Sequence, residues 1–279
     1  MNWQEFQGAA ASVGVTLDDA QLAALERYYG LVLEGNRRAS LTSITDPERF
    51  LVTHLLDSLS IARALDGAIG GANGANGNGS GGDGDGGGNT GGGGGGGGGA
   101  IGPGPGPGPR PLRRAIDVGT GAGFPSVPLA IAFPGLSVSA VESIRKKCEF
   151  LRGAARELGL SPGRLEVLEG RAEELARRPD MRDAYDLAVA RALAPLPVVI
   201  ELCAPFLRPG GVLVAMKGPK VDEELARSGR ALEELGAELE SVLPSGVPGL
   251  DTRLVKVRKV RETPERYPRR TGVPEKRAL

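Results

Sequence analysis

The run Ala115-Ile116-Asp117-Val118-Gly119-Thr120-Gly121-Ala122-Gly123-Phe124-Pro125 constrains this chain more than any other part of it. A short apolar stretch ends on an aspartate, glycines follow at alternate positions, and a proline-led apolar segment begins at once. That order predicts a strand, a tight turn and a helix. Glycine at 119, 121 and 123 removes every other Cβ, so the backbone can take positive φ and a ligand can lie directly against it. The turn opens on a helix N-terminus, whose unpaired N–H groups favour an electron-rich partner. Two familiar phosphate-binding loops are excluded. A dinucleotide fingerprint needs its third glycine at 124, where Phe124 stands, and no Gly-Lys-Ser/Thr ending follows.

At 279 residues and 40% hydrophobic, the chain is long enough for one substantial core and a smaller appendage. Its 45 glycines are unevenly spread. From Gly67 to Pro109 the sequence is mostly Gly, Asn, Asp, Ser and alternating Gly-Pro, with almost nothing apolar to offset the entropy of ordering. This segment reads as a flexible, chemically silent insertion; its alternation is not a Gly-X-Y triplet, so collagen is excluded. Basic and acidic residues balance at 34 each, but the basic ones crowd the region from Arg253 to Arg277. A basic tail on a neutral body suits a polyanion, the alternative being a solvated end. Cys148 and Cys203 sit in apolar helical patterns and read as reduced core residues, and with His54 the only histidine no metal site is expected. The start Met1-Asn2-Trp3-Gln4-Glu5-Phe6 has no signal-peptide pattern and no apolar run is long enough to span a bilayer. A soluble cytoplasmic protein without membrane contact is the expectation.

Four regions follow: a helical cap over 1–65, a disordered Gly/Asn/Pro-rich insertion over 66–111, an α/β domain over 112–260 and a basic tail over 261–279. In the cap, Leu22, Leu25, Tyr28, Tyr29, Val32 and Leu33 form a helical stripe. Asp46-Pro47 is a helix start leading to Phe50, Leu51, His54, Leu55, Leu59 and Ile61. Strands are expected at 114–118, 136–141, 165–168, 185–190 and 211–216. Helices between or after them are expected at 125–133, 145–158, 198–207 and 221–235. The alternation predicts five parallel strands in a Rossmann-like sheet, and the short separation of 239–243 from 253–257 predicts a closing antiparallel hairpin. Ligands in such sheets sit at the carboxyl ends of the central strands, where the glycine loop lies.

Asp117 leading three alternate glycines resembles the cofactor loop of S-adenosylmethionine-dependent methyltransferases. Glu142, about 25 residues after Asp117, ends the second strand where a carboxylate can accept from ribose hydroxyls; its other reading is a helix-capping acid. Arg171-Ala172-Glu173-Glu174 follows the third strand, as an adenine border or as first-turn helix acids. Arg191 and Lys217 close the fourth and fifth strands at the mouth of the cleft, poorly placed for a core and well placed for a substrate or cofactor, which makes both candidates for chemistry. His54 and Asp57 share a helix face. They are candidates for chemistry, although a lone histidine on an apolar face is more often a hydrogen-bonded core residue. No nucleophile-elbow serine or acid pair points to hydrolysis.

Together these pieces resemble the glucose-inhibited division protein B methyltransferases, also called the ribosomal RNA small subunit methyltransferase G family. The resemblance runs through Leu41-Thr42, Asp46-Pro47, His54-Leu55-Leu56-Asp57-Ser58-Leu59, the glycine loop, Lys146-Lys147 with Phe150-Leu151, and Arg171-Ala172-Glu173-Glu174. Arg191-Ala192, Ala215-Met216-Lys217-Gly218, Arg266-Tyr267-Pro268-Arg269-Arg270 and Lys276-Arg277 complete it. It departs at Ser126, where the family has glycine, and in the long insertion. The resemblance implies transfer of a methyl group from S-adenosyl-L-methionine to N7 of a guanine in bacterial small-subunit (16S) ribosomal RNA. It implies that Gly119, Phe124, Ala172, Glu173 and Arg191 contact the cofactor, beside the loop residues Asp117, Gly121 and Gly123 and the acid Glu142. The basic residues Arg269, Arg270, Lys276 and Arg277 are the expected RNA contacts. Two other readings stay open: a methyltransferase of a small metabolite, and a non-catalytic RNA-binding protein with an adenosine pocket.

Overall fold

Two capping boxes start the first helices of the computed structural model, which describes residues 1–65 and 111–279. Asn2 with Glu5 caps α1 (Trp3–Ser12), and Asp18 with Gln21 caps α2 (Asp19–Ala39). Asp46 caps α3 (Pro47–Phe50), accepting from Arg49 N at 2.9 Å with proline in the first turn. The helix expected to run on to Ile61 then changes pitch: a π-helical turn spans Leu51–Leu56, α4 is Asp57–Leu59, and a 3-10 turn covers Ser60–Ala64. His54 therefore sits in a widened turn rather than a regular helix. Apart from Pro111, the glycine-rich insertion lies outside the described residues.

Beyond it, β1 (Arg114–Val118), α5 (Ser126–Ala132), β2 (Ser137–Glu142), α6 (Arg145–Glu157) and β3 (Leu165–Glu169) alternate as the sequence predicts. The chain continues with α7 (Ala172–Leu175), β4 (Tyr185–Arg191), α8 (Leu196–Cys203), β5 (Leu207–Lys217), α9 (Val221–Ala226), α10 (Gly229–Leu235), β6 (Ala237–Pro244), β7 (Arg253–Lys259) and α11 (Val273–Lys276). Sheet order is β3-β2-β1-β4-β5-β7-β6, with β1 to β5 parallel and β7 antiparallel to both its neighbours. The expected five parallel strands and closing hairpin are thus present.

The bounds differ most around two helices. The helix expected to reach Leu207 ends at Cys203, because Ala204-Pro205-Phe206 tightens into a 3-10 turn and Leu207 already pairs with Tyr185. The helix expected over 221–235 breaks at Arg227–Ser228, where the buried Ser228 turns its hydroxyl back onto Glu224 O at 2.7 Å.

Alternation along the strands builds two cores. Leu187 and Val189 face one side of the sheet while Ala188 and Ala190 face the other. The first core holds α5 and α6 and also α1, α2 and α4: Phe6, Leu25, Tyr28, Leu55 and Leu59 are fully buried in it. Polar ties reinforce that union, Gln21 Nε2 donating at 3.1 Å to both Ile131 O and Ala132 O. The N-terminal helices therefore share a single core with one face of the sheet. They bring α2 and the π turn against the glycine loop.

Candidate active site

The glycine loop and the carboxyl ends of β1, β2 and β4 surround a cleft of about 350 Å³. The loop is tied down by Gly119 N and Thr120 N, each donating to Val141 O at 3.0 Å. Its conformation is left-handed at Gly121 (φ 62°), and a Cβ there would meet nothing within 4 Å. The protein leaves that space open to the cleft. Glu142 stands opposite, its Oε2 accepting from Gly121 N at 3.0 Å and its Oε1 from Ile144 N at 2.8 Å. It does cap the turn into α6, yet only 7% of it is exposed and it lines the cleft. Each carboxylate oxygen keeps lone pairs for a hydroxyl donor.

Two expected cofactor contacts lie elsewhere. Asp117 shares a strand face with Ala115, so its carboxylate points under the loop, where it is fully buried and Oδ2 accepts from Ser126 N at 3.0 Å. Burial lifts its pKa to about 6 despite hydrogen bonds from Thr120 and Ser126. Gly123 is required by packing: a Cβ there would come within 2.5 Å of Tyr28 Oη and 2.7 Å of Leu151 and Val127. Asp117 and Gly123 shape the loop from behind. Ser126 fits without crowding the cleft, its hydroxyl 2.5 Å from Thr120 Oγ1 and fully buried.

The opposite wall joins residues far apart in sequence. Arg191, at the end of β4, places Nη2 3.1 Å from His54 Nδ1 and Nε 3.4 Å from Asp57 Oδ2. A guanidinium only donates, so Nδ1 accepts, the imidazole proton lies on Nε2, and Thr42 Oγ1 receives it at 2.7 Å. Burial and then the Arg191 charge push the His54 pKa down to about 4, which keeps the ring neutral. Phe124 stacks on that ring at 4.5 Å and 10°. Arg191 Nη1 is buried with no hydrogen-bond partner. Asp57, 3% exposed and outside the cleft lining, reaches the cleft only through Arg191; burial raises its pKa against the opposing pull of Arg191.

The third wall is α7 and the C-terminal region. Ala172 and Glu173 line the cleft, and Glu173 Oε1 accepts from Gly272 N at 2.9 Å. Glu174 turns away to Thr271 Oγ1 at 3.1 Å. The region expected as a tail is folded back. Tyr267 is buried, Glu275 reaches the cleft lining, and Arg269 is bound to the fully buried Glu201 through its backbone N (2.9 Å), Nε (2.8 Å) and Nη2 (2.5 Å). Arg269 is consequently an internal ion-pair partner and not a free RNA contact. Arg270, Lys276 and Arg277 remain exposed. Lys217 also departs from expectation: its Nζ is held by Ala194 O and Glu224 Oε2, both at 2.7 Å, away from the cleft.

Sequence reasoning missed Tyr28, whose hydroxyl donates to Ala122 O in the loop, and the approach of Glu275. Tyr28 was visible only as one position of an apolar stripe, and Glu275 as one of few acids in a basic region. Among the described residues, no helix is long and apolar enough to cross a membrane, and no group of three or more His, Cys, Asp or Glu can hold a metal ion.

A family model described as rRNA small subunit methyltransferase G matches residues 21–74 and 109–249. The chain is 37% identical over 272 residues to the ribosomal RNA small subunit methyltransferase G of Pelotomaculum thermopropionicum, covering 97% of this chain and 95% of that one. The protein of the same name from Symbiobacterium thermophilum is 38% identical, covering 96% and 94%. That of Deinococcus deserti is 51% identical over a shorter match of 168 residues, 60% of this chain and 68% of the relative.

Proposed function

Because the chain belongs to the rRNA small subunit methyltransferase G family, we propose that it methylates N7 of a guanine in bacterial small-subunit ribosomal RNA, using S-adenosylmethionine. A cytoplasmic location follows from that substrate. Two features of the cleft fit the cofactor: the open space over Gly121 and the orphaned, buried Nη1 of Arg191. In this reading Glu142 accepts from the ribose hydroxyls, Gly119 and Gly121 lie against the cofactor, and Ala172 and Glu173 border the adenine. Arg191 donates its Nη1 to an acceptor on the cofactor. When bound, S-adenosylmethionine supplies an electrophilic methyl group on a good leaving group.

The observation that carries the reading is the family match, and the engagement of His54 fits N7 as the target. Its Nδ1 accepts from Arg191, its Nε2 donates to Thr42, and burial holds its pKa near 4. A ring so placed is a poor proton acceptor at neutral pH. Guanine N7 has an in-plane lone pair and no proton, so its methylation needs no base. The residues of the cleft align the partners and exclude water, and the target nucleotide must leave its stack to enter. The test is transfer of labelled methyl from S-adenosylmethionine to purified small-subunit RNA, with the product base identified. Label on guanine N7 is expected; label on another atom, or none on the RNA, rejects the proposal.

A further inference from the structure

Next to the cleft, α2 and α6 enclose a second groove, of about 380 Å³, lined by Gly35, Arg38, Ala39, Lys146, Glu149 and Phe150. Gly35 makes it possible. A Cβ there would fall 2.5 Å from Phe150 Cδ2 and 2.9 Å from Leu41 Cδ1, so the phenyl ring lies directly on the backbone of α2. Leu41 also lines the cleft, which puts the groove one side chain away from the candidate site. Lys147, which borders the cleft, follows Lys146 in the chain.

The charge of the groove is unbalanced. Arg37, Arg38 and Lys146 are exposed, and none of the ion pairs among the described residues involves them. The acids nearby are already engaged: Glu149 with Arg145 at 2.8 Å and Glu34 with Arg27 at 3.9 Å. A partly exposed aromatic ring flanked by free cations is the combination that holds single-stranded nucleic acid, base on ring and phosphate on cation. We propose that this groove binds a nucleotide flanking the methylated guanine, with its base on Phe150 and its phosphates on Arg38 and Lys146. The assignment rests on the RNA-methyltransferase reading above. It shifts the RNA footprint toward the N-terminal helices, since Arg269 is committed to Glu201.

Two variants test it, each beside the wild type, with small-subunit ribosomal RNA as probe. Arg38→Glu with Lys146→Glu should weaken RNA binding at low salt by about tenfold or more. It should also flatten the salt dependence of log affinity by roughly 1.4, about 0.7 for each single-strand phosphate that the protein stops neutralising. Phe150→Leu keeps an apolar side chain against Gly35 but removes the flat ring; RNA affinity should fall about fivefold with the salt slope unchanged. Calorimetry with S-adenosylhomocysteine should give wild-type affinity for both, showing an intact cleft. Wild-type RNA affinity in either variant, from a protein that methylates the RNA, overturns the groove assignment alone. A wild-type protein that transfers no methyl to the RNA overturns the underlying reading and the groove with it.

Discussion

His54 Nδ1 accepts a hydrogen bond from Arg191 Nη2 at 3.1 Å, joining the π turn of the N-terminal helices to the carboxyl end of β4. The pairing has a consequence for acid stability. Burial and Arg191 lower the folded-state pKa of His54 from 6.5 to about 4. The unfolded chain therefore binds the extra proton between those values, and stability contributed above pH 6.5 is lost as pH falls through 4. The full shift corresponds to about 3 kcal/mol. Asp117 and Asp57, both raised, act in the opposite sense, so comparison with a variant is needed. Urea midpoints at pH 7 and pH 4.5 should fall further apart for wild type than for His54→Gln. Equal separations would show that His54 does not carry the effect.

Removing Arg191 leaves Asp57 buried without its cation. Breaking one side of such a pair costs about 3–5 kcal/mol, whereas neutralising both partners costs less. Arg191→Gln alone should therefore be less stable than Arg191→Gln combined with Asp57→Asn. Methyl transfer should vanish in both, because the guanidinium of the cleft wall is gone in each. Additive stability losses in a double-mutant cycle would disprove the coupling.

Gly121 and Gly123 should fail differently. Gly121→Val adds a side chain where the protein offers only open space, at a φ of 62° that costs about 1–2 kcal/mol for an L residue. The fold should survive and cofactor affinity should collapse. Gly123→Ala drives a methyl group into Tyr28, Leu151 and Val127, so thermal stability should suffer first. Thermal melts beside calorimetry with S-adenosylhomocysteine separate the two; a stable Gly123→Ala or a tight-binding Gly121→Val contradicts the assignment.

The C-terminal cations divide in the same way. Arg269→Ala removes two side-chain donors from the fully buried Glu201 and should cost about 3–5 kcal/mol in stability. Replacing Arg270, Lys276 and Arg277 by alanine should leave the melting temperature nearly unchanged and lower the salt slope of RNA binding. A destabilised triple variant would place these residues with Arg269.

Much of this architecture is legible in the sequence because strand alternation and turn glycines are local signals. The strand–loop–helix at 114–132, the place of Glu142 and the closing hairpin follow from patterns a few residues long. Asp117 illustrates the limit. Its position at the loop is evident, but whether a carboxylate at a strand end points into the cleft or under the loop depends on which face the neighbouring helices cover. Lys217 and Arg191 carry the same local signature, a cation closing a parallel strand. Only the partners that the fold brings to them, Ala194 and Glu224 for one and the far-off His54 with Asp57 for the other, distinguish a structural tie from a cleft residue. Arg269 is similar: nothing near it in sequence announces Glu201.

The hydrogen bond from Gly272 N to Glu173 has a bearing on how the protein is made. Translation delivers the glycine loop, Glu142 and Arg191 well before Gly272 and Glu275, and domains begin to fold during synthesis. A chain ending just past β7 already contains every described strand of the sheet, the glycine loop and α7, yet it lacks Glu275 at the cleft and the Gly272 N–H that holds Glu173. The donor that holds Glu173 in place is therefore among the last groups of the chain to be made, long after the strand and loop residues that it completes.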